Sequence, residues 1–415
     1  MTRGTATTLS FAHRLWRKLP AKPRRRLFAA ATAALAPRPE RQVPQARGGA
    51  VVAGAFSRAT GLGEGARLMQ EALSALGVAC WPLDVSADMW PGAPADFAAP
   101  RGAHLGTPPA GAALILHVNP PMLPYVLLRQ GRRLLHGRRV IGFWAWELET
   151  APPLWQSGAR FVHEAWVPSH FTAAAIETFM PGRVRVVPHP LAIAAPQPSG
   201  RNRRSFGLPD DAVIVLVSFN LASSFVRKNP LAAIAAFRLA FGQRRDRMLL
   251  IKVGNPRAET QDFAILENAV AGSSNIRLLT EVLSGPDNHA LTQAADMVLS
   301  LHRSEGFGLV LAEAMLLGKP VVATGWSGNL DFMDDGSAAL VGYRKIAARD
   351  PRGVFEAPGA VWAEPDVGEA ARLLTGLADN PSWRIELGAR AEKMARRKLG
   401  TAPLEAALVA IGQAA

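Results

Sequence analysis

The sequence predicts an α/β protein of two Rossmann-like domains, each a doubly wound parallel sheet, facing one another across a cleft. Three observations predict it. The chain has 415 residues, beyond the size at which one hydrophobic core usually stops growing. Short apolar runs alternate with amphipathic segments, the pattern of strand–helix–strand units that build a parallel sheet. That pattern runs twice, with a proline-rich interruption between the two passes.

Taken in order, a proline-rich stretch over 36–49 precedes the apolar run 50–56, which reads as a buried strand. Gly61, Gly63 and Gly65 follow as a loop, then a helix over about 66–76. Strand, glycine loop and helix open a Rossmann-like unit, in which the loop lets a ligand approach the backbone. Apolar runs at 113–117, 139–145, 164–168 and 184–187 supply further strands of the first half. The pattern restarts with a strand at 213–219, a helix at 230–241, a strand at 248–253, a helix at 261–271, a strand at 276–279 and a helix at 288–294. A strand at 297–301, a turn at 304–308, a helix at 309–317 and a strand at 320–323 complete it, with helices from about 367 onward. The resulting division is a basic, Pro-rich extension (1–49), a first Rossmann-like domain (50–190), a linker (191–204), a second Rossmann-like domain (205–395) and a C-terminal helix (396–415).

Composition narrows the function classes. Hydrophobic residues make up 49% and charged residues 19%, which fits a folded globular chain. Cys80 is the single cysteine, so no internal disulfide forms and a reducing compartment is expected. Residues 1–50 hold eleven Lys/Arg against Glu40 alone, +10 of the net +14. The folded body therefore lacks the basic face of a nucleic-acid-binding domain. Phe11, Leu15 and Leu19 recur every four positions with His13, Arg14, Arg17 and Lys18 opposite. Such a basic amphipathic segment suits an anionic membrane surface; the alternative is a disordered basic tail, since Pro20 and Pro23 interrupt any long helix. The apolar run over 27–36 is too short to span a bilayer. Peripheral contact through residues 1–35 at a cytoplasmic membrane face is the resulting expectation.

The chemistry concentrates in residues 300–323. A strand ends near Leu301, a polar loop follows, and a helix starts beside Gly306, Phe307, Gly308 and Leu309. Unpaired backbone N–H groups at such a helix start favour an anion, while Glu305 and Glu313 can accept hydrogen bonds from sugar hydroxyls. By themselves these residues describe an anion and polyol site. The full string, Glu305 and Glu313 with Gly-Phe-Gly between and Gly-Lys-Pro-Val-Val after, resembles the signature of the family-four retaining glycosyltransferases of GT-B fold (glycosyl transferases group 1). Residues 61–67, Trp146-Glu147-Leu148, Trp166-Val-Pro-Ser169, 324–333 and 362–366 extend the resemblance over roughly residues 50–400.

The resemblance implies a hexosyltransferase that moves a sugar from a UDP- or GDP-linked donor to a glycan or lipid-linked acceptor, with retention and without a metal or other cofactor. It assigns Glu305 to the donor sugar, Glu313 to the ribose, and the backbone of Gly306, Phe307 and Gly308 to sugar and phosphate. Lys228 matches the family's phosphate-binding lysine. The arginine usually found upstream is missing from 220–226, and Arg227 is its candidate substitute. His302 and Arg303 are expected to line the donor pocket, Arg303 alternatively to bridge the domains. Gly61 and Gly63 face the donor from the first domain, and Asn119, Trp146 and Glu147 lie on the acceptor side. His117 and His189 read as structural histidines, and Lys252 as a weaker cation candidate. The rivals are another GT-B enzyme, such as a phosphorylase or epimerase, and a non-catalytic nucleotide-sugar-binding subunit.

Overall fold

The structure is a computed structural model, and it describes residues 20–413 apart from 101–105, 194, 258, 356 and 358. The stripe of Phe11, Leu15 and Leu19 lies outside the described residues. Immediately after it, helix α1 (Ala21–Leu35) begins behind Pro20. Pro23 does not break it, because the first helical turn needs no intrahelical N–H donors. Phe28 of α1 lies 5.2 Å, ring to ring, from Tyr125 of helix α3 (Leu123–Gln130). Ala33 and Ala36 enter the first domain's core, so the second half of the basic extension is part of the folded body.

The first sheet contains β1 (Ala50–Gly54), β2 (Cys80–Asp84), β3 (Ala113–Leu116), β4 (Val140–Phe143), β5 (Glu164–Val167) and β6 (Val184–Val186). Among the described residues its order is β2-β1-β3-β4-β5-β6, all parallel. Strands β1, β3 and β4 are buried along their whole length, as a sheet covered on both faces requires. Helix α2 (Gly61–Ala75) starts earlier than the glycine loop predicts. Thr60 caps it by accepting from the Gly63 N–H at 3.1 Å, so the glycines form the first helical turn. They are small for packing reasons: a Cβ on Gly63 would stand 2.4 Å from the Ala55 carbonyl, and one on Gly65 would stand 2.7 Å from the His189 ring. Helix α4 (His170–Glu177) follows β5.

The second sheet has β7 (Val213–Asn220), β8 (Arg247–Gly254), β9 (Ile276–Leu279), β10 (Met297–Ser300), β11 (Val321–Thr324) and β12 (Ala339–Val341). Its order is β12-β11-β10-β7-β8-β9, again all parallel. Helices α5 (Pro230–Phe241), α6 (Thr260–Val270), α7 (Gly285–Ala294) and α8 (Leu309–Leu316) connect these strands. The strand order reverses between β1 and β3 in one sheet and between β7 and β10 in the other. Ligands of open α/β sheets bind at such reversals, beyond the carboxyl ends of the strands.

Two features beyond the alternating pattern join the halves. An antiparallel ribbon of β13 (Tyr343–Ala347) and β14 (Val361–Pro365) carries Phe355 in its connecting loop. That ring stacks 5.4 Å from Trp146 and, with Trp362, belongs to the first domain's core. After α9 (Val367–Asp379) and α10 (Pro381–Lys398), helix α11 (Ala402–Ile411) crosses back to the first domain. There Leu404, Leu408 and Ile411 pack with Val52, Phe56 and Leu73, and the Gln413 amide exchanges hydrogen bonds with the Gly49 backbone at 3.2 and 2.5 Å.

Candidate active site in the interdomain cleft

The two sheet reversals face one cleft of about 1140 Å³. Beyond β7 the chain makes a tight turn to a single helical turn, Phe225–Lys228. Ser224 at its start holds φ 86°, and Asn229 at its end is left-handed with φ 52°. The Asn229 side-chain amide donates to the Leu301 carbonyl at 3.0 Å, and the Arg303 N–H donates to the Arg227 carbonyl at 2.8 Å. Two loops far apart in sequence are thereby sewn together, and their charged groups meet.

Lys228 Nζ lies 2.5 Å from one oxygen of Glu305, and Arg227 Nη1 lies 3.2 Å from the other. Burial alone would raise the Glu305 carboxyl, but Lys228 and Arg227, with His302, hold it down at about 2. Glu305 is therefore an ionised acceptor throughout the physiological range. Arg227 is 2% exposed. It also donates to the Ser304 and Ser223 carbonyls at 2.8 and 2.9 Å, and it stands 3.5 Å from Glu147 across the domain boundary. Arg227 thus fixes Glu305 and the adjacent loops from beneath, whereas Lys228 is the more exposed cation beside it.

The loop from Glu305 to Gly308 is held from both sides. The Glu305 N–H donates to Ser327 Oγ at 2.8 Å, and the Gly328 N–H donates to the Glu305 carbonyl at 2.9 Å. A Cβ on Gly306 would stand 2.7 Å from the Trp146 carbonyl oxygen. Gly308 has φ 101° and begins α8 with no side-chain cap. Among the described residues nothing accepts from the N–H groups of Phe307, Gly308 and Leu309, and all three residues line the cleft. Free N–H groups at a helix start concentrate positive potential there.

Glu313 lies one turn deeper in α8 and also lines the cleft. Burial, with Glu64 as a like charge, pushes its carboxyl up to about 8. Glu64 is on the first turn of α2, opposite, and pairs with Arg67 at 2.6 Å. Lys252 and Glu147 line the cleft as well. Burial lowers the Lys252 ammonium, opposed by Glu281, and burial raises the Glu147 carboxyl, opposed by Arg227. Gly61 faces the cleft, while Gly63 is packed beneath it against the Ala55 and Arg58 carbonyls.

Of the remaining expected residues, His189 lines the cleft, while His302, Arg303, Asn119, Trp146 and His117 lie just outside it. His302 is fully buried; its ring reaches Ser300 Oγ at 3.1 Å and Asn329 Oδ1 at 3.1 Å. Arg303 turns to Glu364 of β14 in a two-point pair at 2.7 and 3.1 Å and also donates to the Val226 carbonyl. It bridges the ribbon to the Lys228 loop within the second domain. Asn119 braces the end of β4 through two hydrogen bonds with Ala145, at 3.0 and 3.1 Å. Trp146 is buried between Trp155 and Phe355, its indole N–H donating to the Thr150 carbonyl. His117 stacks on Phe143 at 4.4 Å, and His189, held at about 4 by burial, meets Phe307 at 5.0 Å.

Side chains to which no local pattern assigns this role brace the loop across the boundary. Ser169 Oγ donates to the Gly306 carbonyl at 2.5 Å, and Asp331 accepts from the His170 N–H at 2.8 Å. A serine before a helix carries a capping signal, but nothing local announces a partner more than a hundred residues away. Asn220 is similar: its amide donates to the Ala59 carbonyl at 3.1 Å, tying the two sheet reversals together.

Comparison with known proteins agrees with this architecture. Residues 214–359 match the family described as Glycosyl transferases group 1. The chain is similar to the D-inositol 3-phosphate glycosyltransferases of Nocardioides sp., with 27% identity over 52% of this chain and 45% of that one, and of Acidothermus cellulolyticus, with 29% identity over 47% and 43%. It spans about half the length of the curated relatives it matches. Among solved structures, sucrose-phosphate synthase of Thermosynechococcus elongatus superposes with a TM-score of 0.61 at 16% identity, covering 89% of this chain and 98% of that one. WaaG, a glycosyltransferase involved in lipopolysaccharide biosynthesis, superposes at 0.51 and 15% identity, covering 84% and 95%. Anabaena HepE in complex with UDP-glucose superposes at 0.51 and 16% identity, covering 72% and 76%. The chain thus has the two-domain GT-B architecture, and residues 214–359 of its second domain match the Glycosyl transferases group 1 family.

Proposed function

We propose that the protein is a retaining glycosyltransferase that moves a hexosyl group from a UDP- or GDP-linked sugar to a glycan or lipid-linked acceptor. The observation that carries this reading is the Lys228–Glu305 pair at 2.5 Å beside the uncapped start of α8. An ionised carboxylate for sugar hydroxyls and a cation with free N–H groups for a diphosphate lie within one cleft. Anabaena HepE, of the same fold, binds UDP-glucose. Glu313 binds the ribose in this reading, and Lys228 and the α8 N–H groups offset the charge that develops on the departing diphosphate. Lys252 is a further cation on the same wall. The transfer needs no metal ion, and the departing diphosphate stays on the attacked face and takes the acceptor's proton. Glu147 and the first domain's loops receive the acceptor.

Thermal stabilisation by a panel of nucleoside diphosphates identifies the base. The anomeric configuration of the transferred sugar, followed by NMR, then tests retention. Glu305→Ala and Lys228→Ala are each expected to lower transfer on the order of a hundredfold, the size seen when one preorganised charge-stabilising group is removed. Full transfer activity in both variants overturns the assignment; binding without turnover for any acceptor favours a non-catalytic nucleotide-sugar-binding subunit.

Location at a cytoplasmic membrane face, through the basic N-terminal segment, belongs to the same proposal. Among the described residues no helix is long and apolar enough to cross a membrane, but α1 presents Leu27 and Leu35 at 51% and 72% exposure. Deletion of residues 1–19 should reduce co-sedimentation with anionic vesicles and leave it unchanged with zwitterionic ones. Equal binding before and after deletion contradicts this part.

A further inference from the structure

The first domain reaches the loop before α8 of the second chiefly through the hydroxyl of Ser169. Ser169 is fully buried between β5 and α4. It caps α4, accepting from the Thr172 N–H at 3.1 Å, while its own hydrogen goes to the Gly306 carbonyl at 2.5 Å. Thr172 Oγ1 lies 3.3 Å from the same carbonyl and 2.9 Å from that of Trp146. Trp146 and Gly328 press on Gly306 from two further directions: a Cβ on either glycine would overlap the facing carbonyl. These neighbours crowd the Gly306 peptide, and the hydrogen bonds from Ser169 and Thr172 set the direction of its carbonyl.

The peptide is planar and trans, so the Gly306 carbonyl and the Phe307 N–H point in opposite directions within one plane. Directing the carbonyl at Ser169 turns the Phe307 N–H away from α4. Among the described residues nothing accepts from that N–H or from those of Gly308 and Leu309. Without the hydroxyl, a buried carbonyl would lose its strongest partner, and rotation of the peptide would carry the Phe307 N–H with it.

We infer that Ser169 is a positioning residue for anion binding: by holding the Gly306 carbonyl from the first domain, it aims the Phe307 N–H of the second domain, beside the free N–H groups of Gly308 and Leu309, at a diphosphate. The diphosphate site is therefore incomplete without the first domain, although the Lys228 ammonium and the N–H groups at the start of α8 belong to the second. The inference rests on the cleft being a nucleotide-sugar site, yet it concerns anion affinity and is testable without turnover.

The test is calorimetric titration of the full chain with inorganic pyrophosphate, a nucleoside diphosphate and the matching nucleoside. The variants are Ser169→Gly, Ser169→Ala and Ser169→Thr, with melting curves to confirm folding. Glycine is a tolerable helix cap, so Ser169→Gly keeps α4 while removing the hydroxyl. Loss of one charge-directing hydrogen bond predicts an affinity for the two diphosphates lower by about tenfold in Ser169→Gly and Ser169→Ala. Nucleoside affinity should stay within about twofold, and Ser169→Thr should recover most of the loss. An equal loss for nucleoside and diphosphate, no loss in either hydroxyl-free variant, or a wild-type chain that binds neither pyrophosphate nor any nucleoside diphosphate overturns the inference. A serine-dependent diphosphate affinity in a chain that transfers no sugar supports it and refutes the glycosyltransferase reading instead.

Discussion

At the residue scale the cleft joins two carboxylates with opposite tendencies. Glu305 is held at about 2 and Glu313 is raised to about 8, although both lie on the same wall. Glu305 has two cations within 3.2 Å, and Glu313 has only burial and the like charge of Glu64. The sign of the pH effect follows. A carboxyl raised from about 4.5 to about 8 binds its proton more tightly in the folded state. Its stabilising contribution is complete below about 4.5 and is lost as pH rises through 8. Melting temperature should therefore fall between about pH 5 and 8 in the wild type and fall less in Glu313→Gln; parallel curves would show that Glu313 is not the group concerned. Gly306 gives a second prediction at this scale. A Cβ there meets the Trp146 carbonyl at 2.7 Å, so Gly306→Ala must displace backbone on one side of the cleft. Sugar transfer should fall at least about tenfold, with a stability loss of about 1–3 kcal/mol by chemical denaturation, the usual range for overpacking.

At the element scale, helices are aimed at the cleft by their first turns. Helix α2 begins at Gly61 because Thr60 satisfies the Gly63 N–H, and the glycines of that turn let it settle onto the sheet and against His189. Thr60→Ala removes the cap and should cost about 1 kcal/mol in urea unfolding; an unchanged midpoint would mean that packing alone holds this turn. The β13–β14 ribbon is the element least visible beforehand. Its pairing is antiparallel inside a chain of parallel units, and its loop places Phe355 against Trp146 and over the Arg227 guanidinium, 5.2 Å away. The ribbon props the residues beneath the site without lining it.

Across the whole molecule, the domains are joined by more than the linker. Helix α11 belongs to the C-terminal part of the chain but buries Leu408 in the first domain's core. The 305–308 loop is braced from α4, and Asn220 reaches Ala59. Leu408→Ala should destabilise the protein by about 2–4 kcal/mol, as for other buried leucines. Because α11 ties both ends together, the calorimetric transition of the wild type should remain single. A variant that first loses its lower-melting half would show that the two cores are energetically independent.

The strand and helix order, the doubling of the unit and the position of Glu305 and Glu313 were legible in the residues alone. Apolar periodicity reports which faces must leave water, and that requirement is local. The same local logic misplaced the start of α2, because glycine is read as a loop former until close packing is seen to need it. It also left Arg303 with two readings, and the choice of Glu364 over the cleft depends on the ribbon, which no short-range pattern announced. Arg227, the candidate for the upstream arginine that the signature leads one to expect, lines the cleft and also holds Glu305 and two backbone carbonyls. By itself the sequence determined two sheets, one cleft and the carboxylates on its wall, since these follow from hydrophobic period and loop chemistry. Only the tertiary structure decided which charges pair, which carboxyl keeps its proton and which hydroxyl of the first domain holds the Gly306 peptide, because burial and distance exist only after residues far apart in the chain have met.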